Sequence, residues 1–156
     1  MLRKIADNFE ELLGAAILAI MAVITALNVI TRYAVTYPLA FTEEITVSLF
    51  VWVVLLGTSM AFKKSSNLAM TFLYNLMPLR ARKLCFYLGT LLSIVFFALL
   101  IWLGSRQVLE EIALDVTTDS LAIPAASYSI GVPLFSLLII VRIIQSARKT
   151  AAENSF

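Results

Sequence analysis

The residues best placed to do chemistry are two adjacent carboxylates, Glu43 and Glu44, in the stretch FTEEIT, directly before a long run without a single charge. Acids in that position can cap a helix, dock a partner or hold an ion. Little else in the chain could support catalysis. There is no histidine, which removes the usual ligands of haem, zinc and copper and the commonest general base. The one cysteine, Cys85, cannot form an intramolecular disulfide and reads as a small apolar residue. No glycine-rich phosphate loop, metal-spaced cysteine cluster or paired carboxylate within an apolar run is present. No catalytic, metal or cofactor residue is assigned, and the chain is not expected to be an enzyme.

What positions the two acids is a set of apolar runs. The 156 residues are 61% hydrophobic and 14% charged, with a mean hydropathy of +0.94. Soluble domains carry roughly 25% charged residues, so lipid must be the solvent for much of this surface. Four neutral runs, at 12–31, 45–62, 84–105 and 120–141, are each long enough to span a bilayer. Backbone groups in lipid must be satisfied within the segment, so these runs are expected to be helices. A fifth neutral stretch, 65–79, is short and contains Ser65, Ser66, Asn67, Asn75 and Pro78. Its apolar residues Leu68, Phe72, Leu76 and Leu79 recur at helical spacing, which predicts an interfacial amphipathic helix. The expected fold is an all-α membrane protein, a single domain over 1–156 with four transmembrane helices and one short interfacial helix. The C-terminal SARKTAAENSF reads as a frayed tail.

Ten of the twelve basic residues fall on the side holding both termini and the central loop, leaving only Arg32 and Arg106 opposite. The positive-inside rule then puts both termini in the cytoplasm. Six of the ten acids lie on the other, outer side. None of the four neutral runs holds an ionisable residue, whereas an ion-coupled transporter working alone needs one. The serines and threonines within the runs, among them Ser48, Thr58, Ser59 and Ser93, are expected either to bond their own preceding carbonyls or to serve helix packing. Gly89 with Ser93, and Ser127 with Gly131, put small residues four apart where helices could approach closely. IGVP, with Gly131 and Pro133, predicts a kink in the last helix. At FTEEIT, Thr42 is a suitable N-cap, with Glu43 and Glu44 in the first turn at the positive end of the helix dipole. Arg32 lies across a short loop and could pair with either. Adjacent helical residues point about 100° apart, so the two acids are expected to divide their roles.

NVITRY, FTEEITVSLFVWVVLLGTSMAFKKSSN, LMPLRARK and SLAIPAASYSIGVPL together resemble the small membrane subunit of the tripartite ATP-independent periplasmic (TRAP) transporters. The resemblance covers nearly the whole chain. Its most specific part is Arg32-Tyr33, Glu43-Glu44, Trp52, Gly57 and the basic turn. Phe41 and Asn67 depart from the family pattern, which has tryptophan and histidine there, and no role is carried over to them. The resemblance implies a non-catalytic small permease subunit of a sodium-coupled symporter for an organic acid of the carboxylate or sialic acid type, in the bacterial inner membrane. It implies a large membrane subunit with the substrate and sodium sites, and a soluble periplasmic substrate-binding protein, as partners. The small subunit would scaffold the first and help dock the second. Arg32, Glu43, Glu44, Trp52 and Gly57 are the candidate partner interface, with Gly89, Ser93, Ser127 and Gly131 as candidate helix-packing positions. Lipid is the remaining partner, and no nucleic acid is expected. The alternative is an autonomous small four-helix exporter, which should carry a membrane-embedded glutamate that the neutral runs lack.

Overall fold

In the computed structural model, which describes residues 2–34, 40–63 and 78–153, the chain is built from helices α1 (Leu2–Ala34), α2 (Ala40–Lys63), α3 (Leu79–Ala113), α4 (Ala126–Ser129) and α5 (Gly131–Glu153). Four stretches are long and apolar enough to cross a membrane: Phe9–Ala34, Ala40–Lys63, Arg80–Ala113 and Ala126–Thr150. The all-α membrane fold expected from the neutral runs is therefore the fold observed. The 65–77 part of the expected interfacial helix lies outside the described residues. Of its last two residues, Pro78 is the extended N-cap of α3 and Leu79 begins that helix. The Pro78 carbonyl accepts the Arg82 N–H at 3.1 Å.

α3 overruns its neutral run with charges at its end satisfied locally. Arg106 pairs with Glu110 at 3.5 Å, and Gln107 donates to Glu111 at 2.9 Å, each one turn apart on α3. At 35 residues α3 is about 52 Å long, well beyond a hydrocarbon core of about 30 Å. The last span differs most from expectation. Residues 120–125 are neutral but not helical, and helix continues past Val141 to Glu153, through most of the segment expected to fray. The kink expected at IGVP is a short interruption at Ile130. Pro133 has no N–H to offer the Ser129 carbonyl one turn back.

The long helices stand in a row, with α1 against α2, α2 against α5 and α5 against α3. The final helix thus inserts between α2 and α3. Their shared core is small: Ile17, Leu55, Leu56, Phe97, Phe135, Ile139 and Ile143. Many more large apolar side chains are exposed, among them Leu92 and Trp102 at 66%. In water that surface would be untenable. In lipid it is the expected exterior.

Along α1, Glu10, Gly14, Ile17, Met21, Ile24, Asn28 and Thr31 are all buried or half-buried at alternating spacings of four and three. That periodicity keeps one seam facing a neighbouring helix over many turns, and here the neighbour is α2. At Gly14 a methyl group would sit 3.0 Å from Met60 Cε, so the seam closes tightly at this end.

Candidate functional site

Two groups of polar contacts tie the row together, one at each end. Near the start of α1 the Glu10 carboxylate is buried. It accepts Arg142 Nε at 2.7 Å and Ser59 Oγ at 3.2 Å, and the Arg142 Nη2 lies 2.6 Å from the same carboxylate oxygen as Nε. Three helices, α1, α2 and α5, meet at this carboxylate. Of the two roles expected for its type, Ser59 takes helix packing, bonding a carboxylate on another helix rather than its own backbone. The membrane-capable helices extend past the neutral runs and so take in Glu10 and Arg142. Charge marked the limits of the runs at residues 12 and 141, but Glu10 and Arg142 neutralise each other and stay within the helices. Other hydroxyls behave as expected. Ser48, Thr58 and Ser93 donate to the carbonyls of Glu44, Val54 and Gly89 at 2.8–3.0 Å.

At the opposite end the two glutamates part company. α2 begins at Ala40, so Thr42 is a buried residue inside the helix rather than its cap, and Glu43 is the acid of the first turn. Glu44 Oε2 accepts the backbone N–H of Ser120 at 3.1 Å, tying α2 to the loop before α4. That loop is a small hairpin. Thr118 N–H donates to Ile123 O at 2.9 Å and Ala125 N–H to Val116 O at 2.9 Å, with Ala122 at φ 51°. Glu111 on α3 accepts Ser129 Oγ at 2.9 Å and holds the other flank. Glu43 is exposed and has no hydrogen bond or ion pair among the described residues. Arg32 is likewise exposed and has no partner among the described residues, so the expected Arg32–glutamate pair does not form.

Glu43 instead opens onto a cleft of about 300 Å3 between α1 and α2, lined also by Thr25, Asn28, Thr42, Thr46 and Val47. Asn28 Oδ1 is buried there without a donor. This combination of free carboxylate, threonine hydroxyls and an unsatisfied amide oxygen can accept hydrogen bonds or a positive charge. No residue in it is placed to act as a nucleophile with a base.

Trp52 makes its contacts within the chain. Its indole N–H donates to the Tyr128 carbonyl at 3.0 Å, and its ring meets Phe135 edge-on at 5.8 Å. A methyl group at Gly131 would collide with that indole, so the absence of a side chain at Gly131 is what lets Trp52 of α2 lie directly on α5. Gly104, which sequence reasoning missed, plays a similar part between α3 and α5, 3.2 Å from Pro133 Cδ measured from an added methyl. Ser127, Gly89 and Gly57 are exposed, and neither of these two glycines has an atom of the chain within 4 Å of an added methyl. The missed Glu10–Ser59–Arg142 cluster had one sequence signal, opposite charges just outside the first and last runs.

A family model described as "Tripartite ATP-independent periplasmic transporters, DctQ component" matches residues 21–153. The sialic acid TRAP transporter small permease protein SiaQ of Vibrio cholerae is 26% identical over 85% of this chain and 76% of its own. The C4-dicarboxylate TRAP transporter small permease protein DctQ of the same organism is 34% identical over 64% of this chain, which spans 42% of that relative. The sialic acid TRAP transporter permease protein SiaT of Haemophilus influenzae is 36% identical over 66% of this chain, a match covering only 17% of that protein.

Proposed function

The chain belongs to the DctQ-component family of tripartite ATP-independent periplasmic transporters, and from that premise we propose that it is the non-catalytic small permease subunit of a sodium-coupled symporter for an organic acid, of the C4-dicarboxylate or sialic acid type. The family consists of transporter components, not enzymes. The observation carrying the reading is the joint one of family and chemistry. Four membrane-capable helices hold one buried ion pair, Glu10–Arg142, whose members neutralise each other. The neutral runs at the centre of those helices contain no Asp, Glu, Lys or Arg with which to bind a coupling ion.

In this reading substrate and sodium are handled by a large membrane subunit, which the chain braces. The relative of which this chain spans only 17% supports such an arrangement, since a segment like this one is part of a much longer permease there. The protein sits in the bacterial inner membrane with both termini and the 64–77 connection in the cytoplasm, as the basic residues favour. The Arg32 and Glu43 end then faces the periplasm, where its acidic surroundings help dock a substrate-binding protein. Arg32, Glu43 and Gly57 form the partner surface, and Glu44 and Trp52 hold that surface in place from within. Tagged chain, co-expressed with a large TRAP permease of the same organism and solubilised in mild detergent, should retain that permease through purification. Recovery of the chain alone, in a lipid-supplemented detergent that keeps it folded, would count against the subunit reading.

A further inference from the structure

On the reading that a large permease is the partner, we propose that the unpartnered face of α2 seats one transmembrane helix of that permease, which brings a hydrogen-bond donor or cation to Glu43 and makes its closest approach at Gly57. Glu43, Val47, Phe50, Val54, Gly57 and Ala61 are all exposed and follow one another at spacings of four, three, four, three and four. At 100° per residue they fall within an arc of about 80°. This is the periodicity with which α1 meets α2 within the chain, but on α2 no helix among the described residues covers it. α2 has its neighbours α1 and α5 on its flanks.

Two features of the face are unexplained by lipid. Gly57 is a poor residue for a helix interior, and nothing in the chain requires it, since no atom lies within 4 Å of an added methyl. With Ala61 one turn on, it forms a small-residue pair that lets a second backbone come close. At the other end the face runs to the cleft mouth, where the Glu43 carboxylate is exposed and has no partner among the described residues. Lipid tails donate nothing to it. The covering helix must therefore supply a donor at that level, and a cation there would complement Glu43. The longer relative places a large membrane polypeptide in the same chain as a segment like this one, which favours that permease as the occupant.

The test uses the full chain co-expressed with a large TRAP permease of the same organism. Gly57→Leu should lower the permease retained on the tagged chain by at least tenfold, while the variant purified alone keeps the parental thermal midpoint or exceeds it. A photo-crosslinking phenylalanine analogue at Val54 in the otherwise parental chain should form an adduct with the permease. Full retention by Gly57→Leu overturns the proposal, as do Val54 adducts only to lipid or to a second copy of this chain. If the parental chain retains no permease, the partner reading itself falls, and the seat with it.

Discussion

Glu10 shows most clearly what a single side chain contributes. A carboxylate 3% exposed, against an Arg142 side chain 18% exposed, is tolerable only while the pair is intact. Glu10→Met leaves the guanidinium partly buried without a counter-charge, its remaining hydrogen bond going to Gln145 Oε1 at 2.8 Å, and should cost about 3–5 kcal/mol. Glu10→Met combined with Arg142→Met should recover most of that loss, measured as thermal unfolding in detergent. Strict additivity of the two single variants would show that the pair does not act as a unit. Gly131 makes the complementary point about volume. Gly131→Ala drives a methyl into the Trp52 indole, and overpacking of that kind costs about 1–3 kcal/mol. Adding Trp52→Phe should restore part of the stability, although the bond to Tyr128 O is lost with it. A Gly131→Ala variant as stable as the parent would rule the close approach out. The SYSIG spacing made Gly131 legible as a packing position. Its counterpart, 79 residues earlier in sequence, was not, because spacing within one helix carries no information about which helix arrives.

At the scale of elements, the sequence was legible wherever lipid alone decides the outcome. Runs without charge became helices because their backbone must satisfy itself. It was misleading at the ends, where another element decides. Arg142 looked like a terminus because charge in a membrane is costly, yet Glu10 on another helix removes that cost. Residues 120–125 looked like membrane span because they are neutral. They form a hairpin instead, with Glu44 accepting from Ser120 and Ala122 in the left-handed region. Thr42 looked like a cap and is inside the helix, which begins two residues before it. The hairpin carries its own prediction. An alanine at φ 51° is strained by its Cβ by about 1–2 kcal/mol, so Ala122→Gly should raise stability by up to about 1 kcal/mol once the added freedom of the unfolded chain is set against it. A lower thermal midpoint for Ala122→Gly would contradict the hairpin geometry.

For the whole molecule, the row of helices explains why so much apolar surface is left uncovered and why function must be sought with partners. Only its edges and faces distinguish lipid from protein neighbours, and the α2 face carries the features lipid cannot satisfy. Orientation can be measured independently. In a Cys85→Ser background, an impermeant thiol reagent added to intact cells stripped of their outer membrane should label a cysteine at Thr118 and not one at Ser66. The reverse pattern would invert the proposed topology. The central claim, that this chain serves transport without performing it, is tested most directly by uptake into proteoliposomes under a sodium gradient. Vesicles should be prepared with this chain alone, with the large permease alone, and with both, each supplied with the cognate binding protein and a labelled C4-dicarboxylate or sialic acid. Accumulation is predicted only where both membrane proteins are present. Sodium-driven accumulation by this chain alone, or full activity of the permease without it, would contradict the account.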